Sequence, residues 1–325
     1  MLLIDALRRA SLSLGAGPQA LEAAVAAATD GQTVDLLTDA TVASAIQVTG
    51  KAVTITGAHT VTTGVTDVIE AGAGGIITLG TGFTLNATSS GLYAHNGGII
   101  NINGASVTGT GTDYAFAYAT DANSQINVIG GSLAKNGSDH VTLSVDNGAS
   151  ATISGGTVSN DTSTAIVAKA NGTITVNGGM VKTTANMVAG YVVTGGKITV
   201  ENGTVESGNW CALSAIRFGQ ASSGEIIVNG GTINKAVGAY EGGPRELVDV
   251  DGLGHVALDM LAHTHDGHAQ HGRGQACGEE HVDEDGKAGI AGQADDERYP
   301  ALHVVQPHGH LLGLAGRGLA VAGKP

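Results

Sequence analysis

The side chains able to do chemistry are few and fall into three groups. Tyr114, Phe116 and Tyr118 alternate along one short segment, Tyr93 precedes them by one repeat, and Tyr191 and Trp210 lie farther along. Aromatic rings on an outward face stack against sugars, whereas rings on an inward face fill a core. A one-residue slip in strand alignment exchanges the two faces, so both placements stay open. The expectation is a core or mixed placement, with Tyr93, Tyr114, Tyr118, Tyr191 and Trp210 as glycan-binding candidates.

The second group is the run His263, His265, His268 and His271, with Cys277, Glu279, Glu280 and His281 nearby. Imidazole and thiolate ligate zinc or nickel. These four histidines are the metal-ligating candidates, but neither a His-Glu-x-x-His helix nor a paired-cysteine spacing accompanies them. Adventitious binding by a His-rich tail is expected, and no cofactor.

The third group is acidic: Asp113, Asp121, Asp139, Asp146, Asp161, Glu201, Glu206 and Glu225 lie mostly in or beside turns. Polysaccharide lyases and hydrolases need carboxylates converging on one groove, with calcium and a base or with an acid/base pair. No Asp-Asp pair occurs in this part of the chain, and Lys135, Lys169, Lys182, Lys197 and Arg217 are equally dispersed. The expectation is therefore no catalysis, with a carbohydrate-active enzyme as the alternative.

Composition limits what can position these groups. The 325 residues include 52 glycines and 5 prolines, with 42% hydrophobic, 14% charged and 3% aromatic residues. That hydrophobic share argues for a packed interior. The formal charge of −14 opposes attraction to nucleic acid or anionic lipid. No apolar run approaches the roughly 20 residues of a membrane-spanning helix. Two cysteines make no disulfide framework. Leu2, Leu3 and Ile4 open the chain, but Asp5, Arg8 and Arg9 interrupt any signal-peptide core.

From Gln19 to Gly243 the chain is proline-free, as continuous sheet requires. Within it, Ile174-Thr175-Val176-Asn177-Gly178-Gly179-Met180-Val181 recurs from Ile126, Ala151, Ile198 and Ile226. Its sixth residue is glycine in every copy, at Gly131, Gly156, Gly179, Gly203 and Gly231, spaced by 25, 23, 24 and 28 residues. Weaker copies start at Ile100, Ile77, Val53 and Val34. Alternating Ile and Val mark half-buried strands, and the Gly pair supplies a sharp bend. A third apolar stretch, such as Ala165 to Ala168 or Val141 to Val145, completes a coil of about 24 residues. One coil cannot bury its aliphatic side chains, so coils must stack.

This predicts an all-β chain: a parallel β-helix of about 8 coils of 23–28 residues over residues 32–240. Residues 1–31 carry a capping helix from Pro18 to Asp30, with Leu21, Val25 and Ala28 on one face. Residues 241–325, rich in His, Gly and Asp, read as a disordered or out-of-frame tail. The residue between the two apolar anchors gives a column of Thr54, Thr78, Asn101, Asn127, Thr152, Thr175, Thr199 and Ile227, expected to be a polar ladder.

On Gly91-Leu92-Tyr93-Ala94-His95-Asn96-Gly97-Gly98, on Ala105 to Gly111, and on the repeated Ile-Thr-Val-Asn-Gly-Gly, the chain resembles the right-handed single-stranded β-helix of bacterial autotransporter adhesins and pectate-lyase-like surface repeats. The resemblance covers residues 30 to 235. It implies a right-handed coil, a secreted or cell-surface location, and a non-catalytic adhesin-like module or stalk whose partners are host or bacterial surface glycans or proteins. A polysaccharide lyase or hydrolase, or a phage tail-fibre-like glycan binder, are the alternatives it carries.

Overall fold

A computed structural model describes residues 20–208, 211–215 and 224–234, and the backbone of short strands between 237 and 313. Among the described residues one helix, Ala20–Ala27, precedes a chain of strands. The strands form a parallel β-solenoid with three faces.

The first face follows directly from the repeat. Nine parallel strands, from Gln32–Asp35 to Glu225–Val228, bound eight turns. Ile174 and Val176 point inward, as do Ile126 and Val128 before them and Ile198 and Val200 after. The outward column runs Thr33, Thr54, Thr78, Asn101, Asn127, Thr152, Thr175, Thr199 and Ile227 in unbroken register. It is the expected ladder: Asn127 donates to Asn101 at 3.0 Å and Asn101 to Thr78 at 3.4 Å.

The bend after each strand belongs to the recurrent glycine. Gly131, Gly156, Gly179, Gly203 and Gly231 have φ of 82°, 68°, 66°, 90° and 85°. That left-handed region is costly for a residue with a Cβ. A Cβ on Gly131 would also lie 2.1 Å from the Ala105 carbonyl oxygen. The chain then enters the second face, through strands such as Thr84–Ala87, Thr157–Asn160 and Thr232–Asn234. In four coils no break separates the faces, and 11-residue strands such as Thr173–Thr183 turn the corner.

At the corner leading to the third face the inward residues turn polar. Thr63, Lys135, Asn160, Thr183 and Ser207 are buried and donate to the carbonyls of Val42, Gly111, His140, Ser163 and Met187 respectively. These bonds satisfy loop carbonyls that the ladders leave unpaired. Burial holds the Lys135 amine below its ordinary pKa, and Asp113 opposes that shift. The third face begins at Ile46–Thr49 and continues through Ile69–Gly72, Leu92–Ala94, Ala115–Ala119, Val141–Val145, Ile166–Lys169 and Gly190–Val193, all parallel.

The helix ends at Ala27, short of the expected Asp30, and its apolar face is the one expected. Leu21, Val25 and Ala28, with Ala24, join the solenoid core. Lys51 donates to the carbonyls of Val25, Ala26 and Ala28, satisfying the helix C-terminus. One register differs from expectation: Gln32, not Val34, pairs with Val53. The two-residue shift keeps Val34 inward, because it equals one full pleat. Beyond the last turn, Val256–Asp259 pairs antiparallel with Glu225–Val228, and Pro244–Val248 with Val237–Tyr240. Most of the tail expected to be disordered, 241–325, lies outside the described residues.

Candidate functional site

The chemistry gathers on the third face. Its outward column reads Gln47, Glu70, Tyr93, Tyr118, Ser144, Val167, Tyr191 and Ser214, each paired in register with the next. A neighbouring column, two residues on along each strand, carries Gly72, His95, Thr120, Asp146, Lys169 and Val193. Each outward residue is flanked by two inward core residues, as in Ile69-Glu70-Ala71, Leu92-Tyr93-Ala94 and Ala117-Tyr118-Ala119.

Tyr93 stacks on Tyr118 with ring centroids 5.9 Å apart and planes 6° from parallel. His95 covers Tyr93 at 4.6 Å. The imidazole lies over Gly72, where an added Cβ would sit 2.8 Å from its Nε2. Glycine there clears the path by which Nε2 reaches Glu70 Oε1 at 2.8 Å. The Asn96 side-chain amide is 2.9 Å from Nδ1. With that amide donating to Nδ1, the ring proton sits on Nε2 and is donated to Glu70. Gln47 donates to the other Glu70 oxygen at 2.6 Å.

Farther along, the Tyr118 hydroxyl donates to Asp146 Oδ2 at 2.6 Å, and the Lys169 ammonium lies 3.5 Å from the same oxygen. That ammonium sits 4.3 Å from the Tyr114 ring centroid and 5.7 Å from that of Tyr118, both within cation–π range. Burial, then donation to Asp146, pushes the Tyr118 phenol well above its ordinary value. Tyr93 is raised too, by burial first and then by the charges of Asp121, Asp67, Glu70 and Asp146.

The candidate tyrosines therefore divide. Tyr114 is 43% exposed, and Tyr93 and Tyr118 are half-buried. Tyr191 occupies the same column but is buried, in a patch with Val141 and Val167. Phe116, which sequence alternation groups with Tyr114 and Tyr118, turns into the core. Gly91 and Gly109 admit it, since a Cβ on either would come within 2.3 Å of its ring. Trp210 and the histidines His263, His265, His268 and His271 lie outside the described residues. Among the described residues no group of three or more His, Cys, Asp or Glu side chains is placed to hold a metal ion. No described helix is long and apolar enough to cross a membrane.

Glu70, His95, Ser144, Asp146 and Lys169 were not legible as a group. The available signal was a variable residue flanked by two core residues, which marks the outward position of Glu70 and Ser144 but not the neighbouring column of His95, Asp146 and Lys169. Comparisons with protein-family models, with curated proteins and with solved structures found no match.

Proposed function

We propose that this chain is a non-catalytic, adhesin-like β-solenoid module of the cell surface or extracellular space, which contacts surface glycans through its third face. One observation carries this reading: the described tyrosine side chains, Tyr93, Tyr114, Tyr118 and Tyr191, all lie on that face, together with Glu70, His95, Asp146 and Lys169. Tyrosine supplies contact area at low entropic cost, and flanking charges orient hydroxyl groups. The ring faces of Tyr93 and Tyr118 are largely taken up by each other, by His95 and by Lys169. Tyr114, exposed at 43% although Lys169 lies 4.3 Å from its ring centroid, is the most open ring for stacking on sugar.

A stalk is the second reading, favoured by the first face. From Thr33 to Thr199 its outward column consists of short polar side chains, bonded to one another at Thr78, Asn101 and Asn127. Such a column adds rigidity turn upon turn without offering a ligand much to grip.

A glycan array separates the two. Full-length protein is compared with a Tyr93→Ala/Tyr114→Ala variant and a first-face Thr152→Ala/Thr175→Ala variant. Selective binding lost only in the tyrosine variant is the expected result. Absence of selective binding in every form leaves the stalk, and loss only in the threonine variant moves the contact to the first face.

A further inference from the structure

The third-face column changes character between Tyr118 and Val167, and the residues at that break have unmet hydrogen bonds. Ser144 sits between those two in register, pointing outward while Leu143 and Val145 join the core. It is fully buried at 0% exposure, and its hydroxyl has no hydrogen-bond partner. Asp146, on the same face and 6% exposed, has Oδ2 engaged by Tyr118 and Lys169 but leaves Oδ1 buried and unpartnered. Two adjacent unpaired polar groups on one outer face call for an occupant, because leaving them unmet costs free energy.

Charge decides which occupant. The Asp146 carboxylate and the Lys169 ammonium, 3.5 Å apart, cancel. A cation entering here meets Lys169 and an anion meets Asp146. A neutral group with paired hydroxyls meets neither penalty, and it offers a donor for Oδ1 and a partner for the serine hydroxyl. The exposed Tyr114 ring, linked to the same Lys169, provides an apolar surface beside them.

We propose that Ser144, Asp146 and Tyr114, with Lys169 positioning the last two, form a subsite for a neutral hexopyranose unit of a surface glycan. This rests on the reading of the third face as a saccharide contact. One ligand hydroxyl donates to Asp146 Oδ1 and its neighbour bonds Ser144 Oγ, while the C–H face of the ring lies on Tyr114. Because Tyr118 already holds Oδ2, only Oδ1 is available, and this fixes the sugar's orientation. Both hydroxyl-binding atoms are closed to solvent in the unliganded fold, so binding requires the side chains over them to shift while the Lys169–Asp146 pair stays together and keeps the site neutral.

The test is calorimetric titration of full-length protein with neutral hexose oligosaccharides and with uronic-acid and amino-sugar oligosaccharides of equal length. Neutral sugars are expected to bind. Ser144→Ala, the smallest change, weakens binding about fivefold, and Asp146→Asn and Tyr114→Ala about tenfold each. An unchanged unfolding midpoint in Ser144→Ala shows that the loss is not misfolding.

Neutral-sugar binding that survives in Ser144→Ala and Asp146→Asn but disappears in Tyr93→Ala overturns the subsite, leaves a buried water as its occupant, and keeps the third-face reading. Preference for the charged oligosaccharides overturns the ligand class. Failure of the unaltered protein to bind any of the three sets removes the third-face reading, and the subsite with it.

Discussion

The first and third faces share one backbone path and one aliphatic interior, yet their outward columns differ. On the first face a position keeps threonine or asparagine through eight successive strands, from Thr33 to Thr199, and hydrogen bonds join Asn127 to Asn101 and Asn101 to Thr78. On the third face the equivalent column goes from carboxylate to phenol to hydroxyl to isopropyl and back to phenol between Glu70 and Tyr191. Uniformity serves stacking, since each turn presents the next with the same partner. Variation marks places along the axis, which recognition requires and stacking does not.

The sharpest way to break the comparison is to attack what both faces depend on. Gly131→Val forces a branched side chain into a left-handed corner and against the Ala105 carbonyl, and is expected to cost about 3–5 kcal/mol. Thr152→Ala on the first-face surface should stay within about 0.5 kcal/mol. Chemical denaturation of the full chain measures both. Equal effects would mean that the corner is not what sets the register.

A smaller effect compares polar contacts on the two faces. Tyr118→Phe removes the hydrogen bond to Asp146 and is expected to cost about 1.5 kcal/mol, because the acceptor is charged and buried. Asn127→Ala on the first face removes a half-exposed ladder bond and should cost about 0.5 kcal/mol. A double-mutant cycle of Tyr118→Phe with Asp146→Asn checks that the larger loss belongs to the pair.

Alkaline titration sharpens the same point. The Tyr118 phenol is raised above 10.0 on folding, so its contribution is fully present below pH 10.0 and is lost as pH rises past that value. Stability of the unaltered protein should fall above pH 10.0 more steeply than that of Tyr118→Phe. Identical slopes would place the phenol in an unburied setting.

The smallest effect is acidic. The Ser89 hydroxyl, and then the Ser90 amide, hold the Asp113 carboxyl below its ordinary 3.8 against the opposing pull of burial. Stability from this group is present above pH 3.8 and declines as pH falls through the lower folded value. Asp113→Asn should flatten that decline, measured by thermal unfolding across the acid range.

The solenoid was legible because its signal is doubled: Ile and Val repeat on the inward side, and glycine marks the corner one step later. At Val34 the glycine signal fades, so sequence similarity places this strand one pleat from its actual register without changing which side faces in. The third face carries no such marker. Tyr93, Tyr118 and Tyr191 share one column, yet turns of 23 to 26 residues blur the alignment, and Phe116 breaks the alternation by filling space left by Gly91 and Gly109. The His95–Glu70 contact depends on Gly72 having no side chain, and Lys169 meets Tyr114 only because it reaches across the intervening turn to a residue two turns earlier.

Segregation of function by face is tested most directly by hydroxyl-radical footprinting of the full chain with and without a glycan that binds it. Tyr114 reports on the third face, and Met180, half-buried in the outward column of the second face, is a built-in control. Protection of Tyr114 with Met180 unchanged is the predicted result. Protection of Met180, or of neither residue, would contradict the assignment of recognition to the third face.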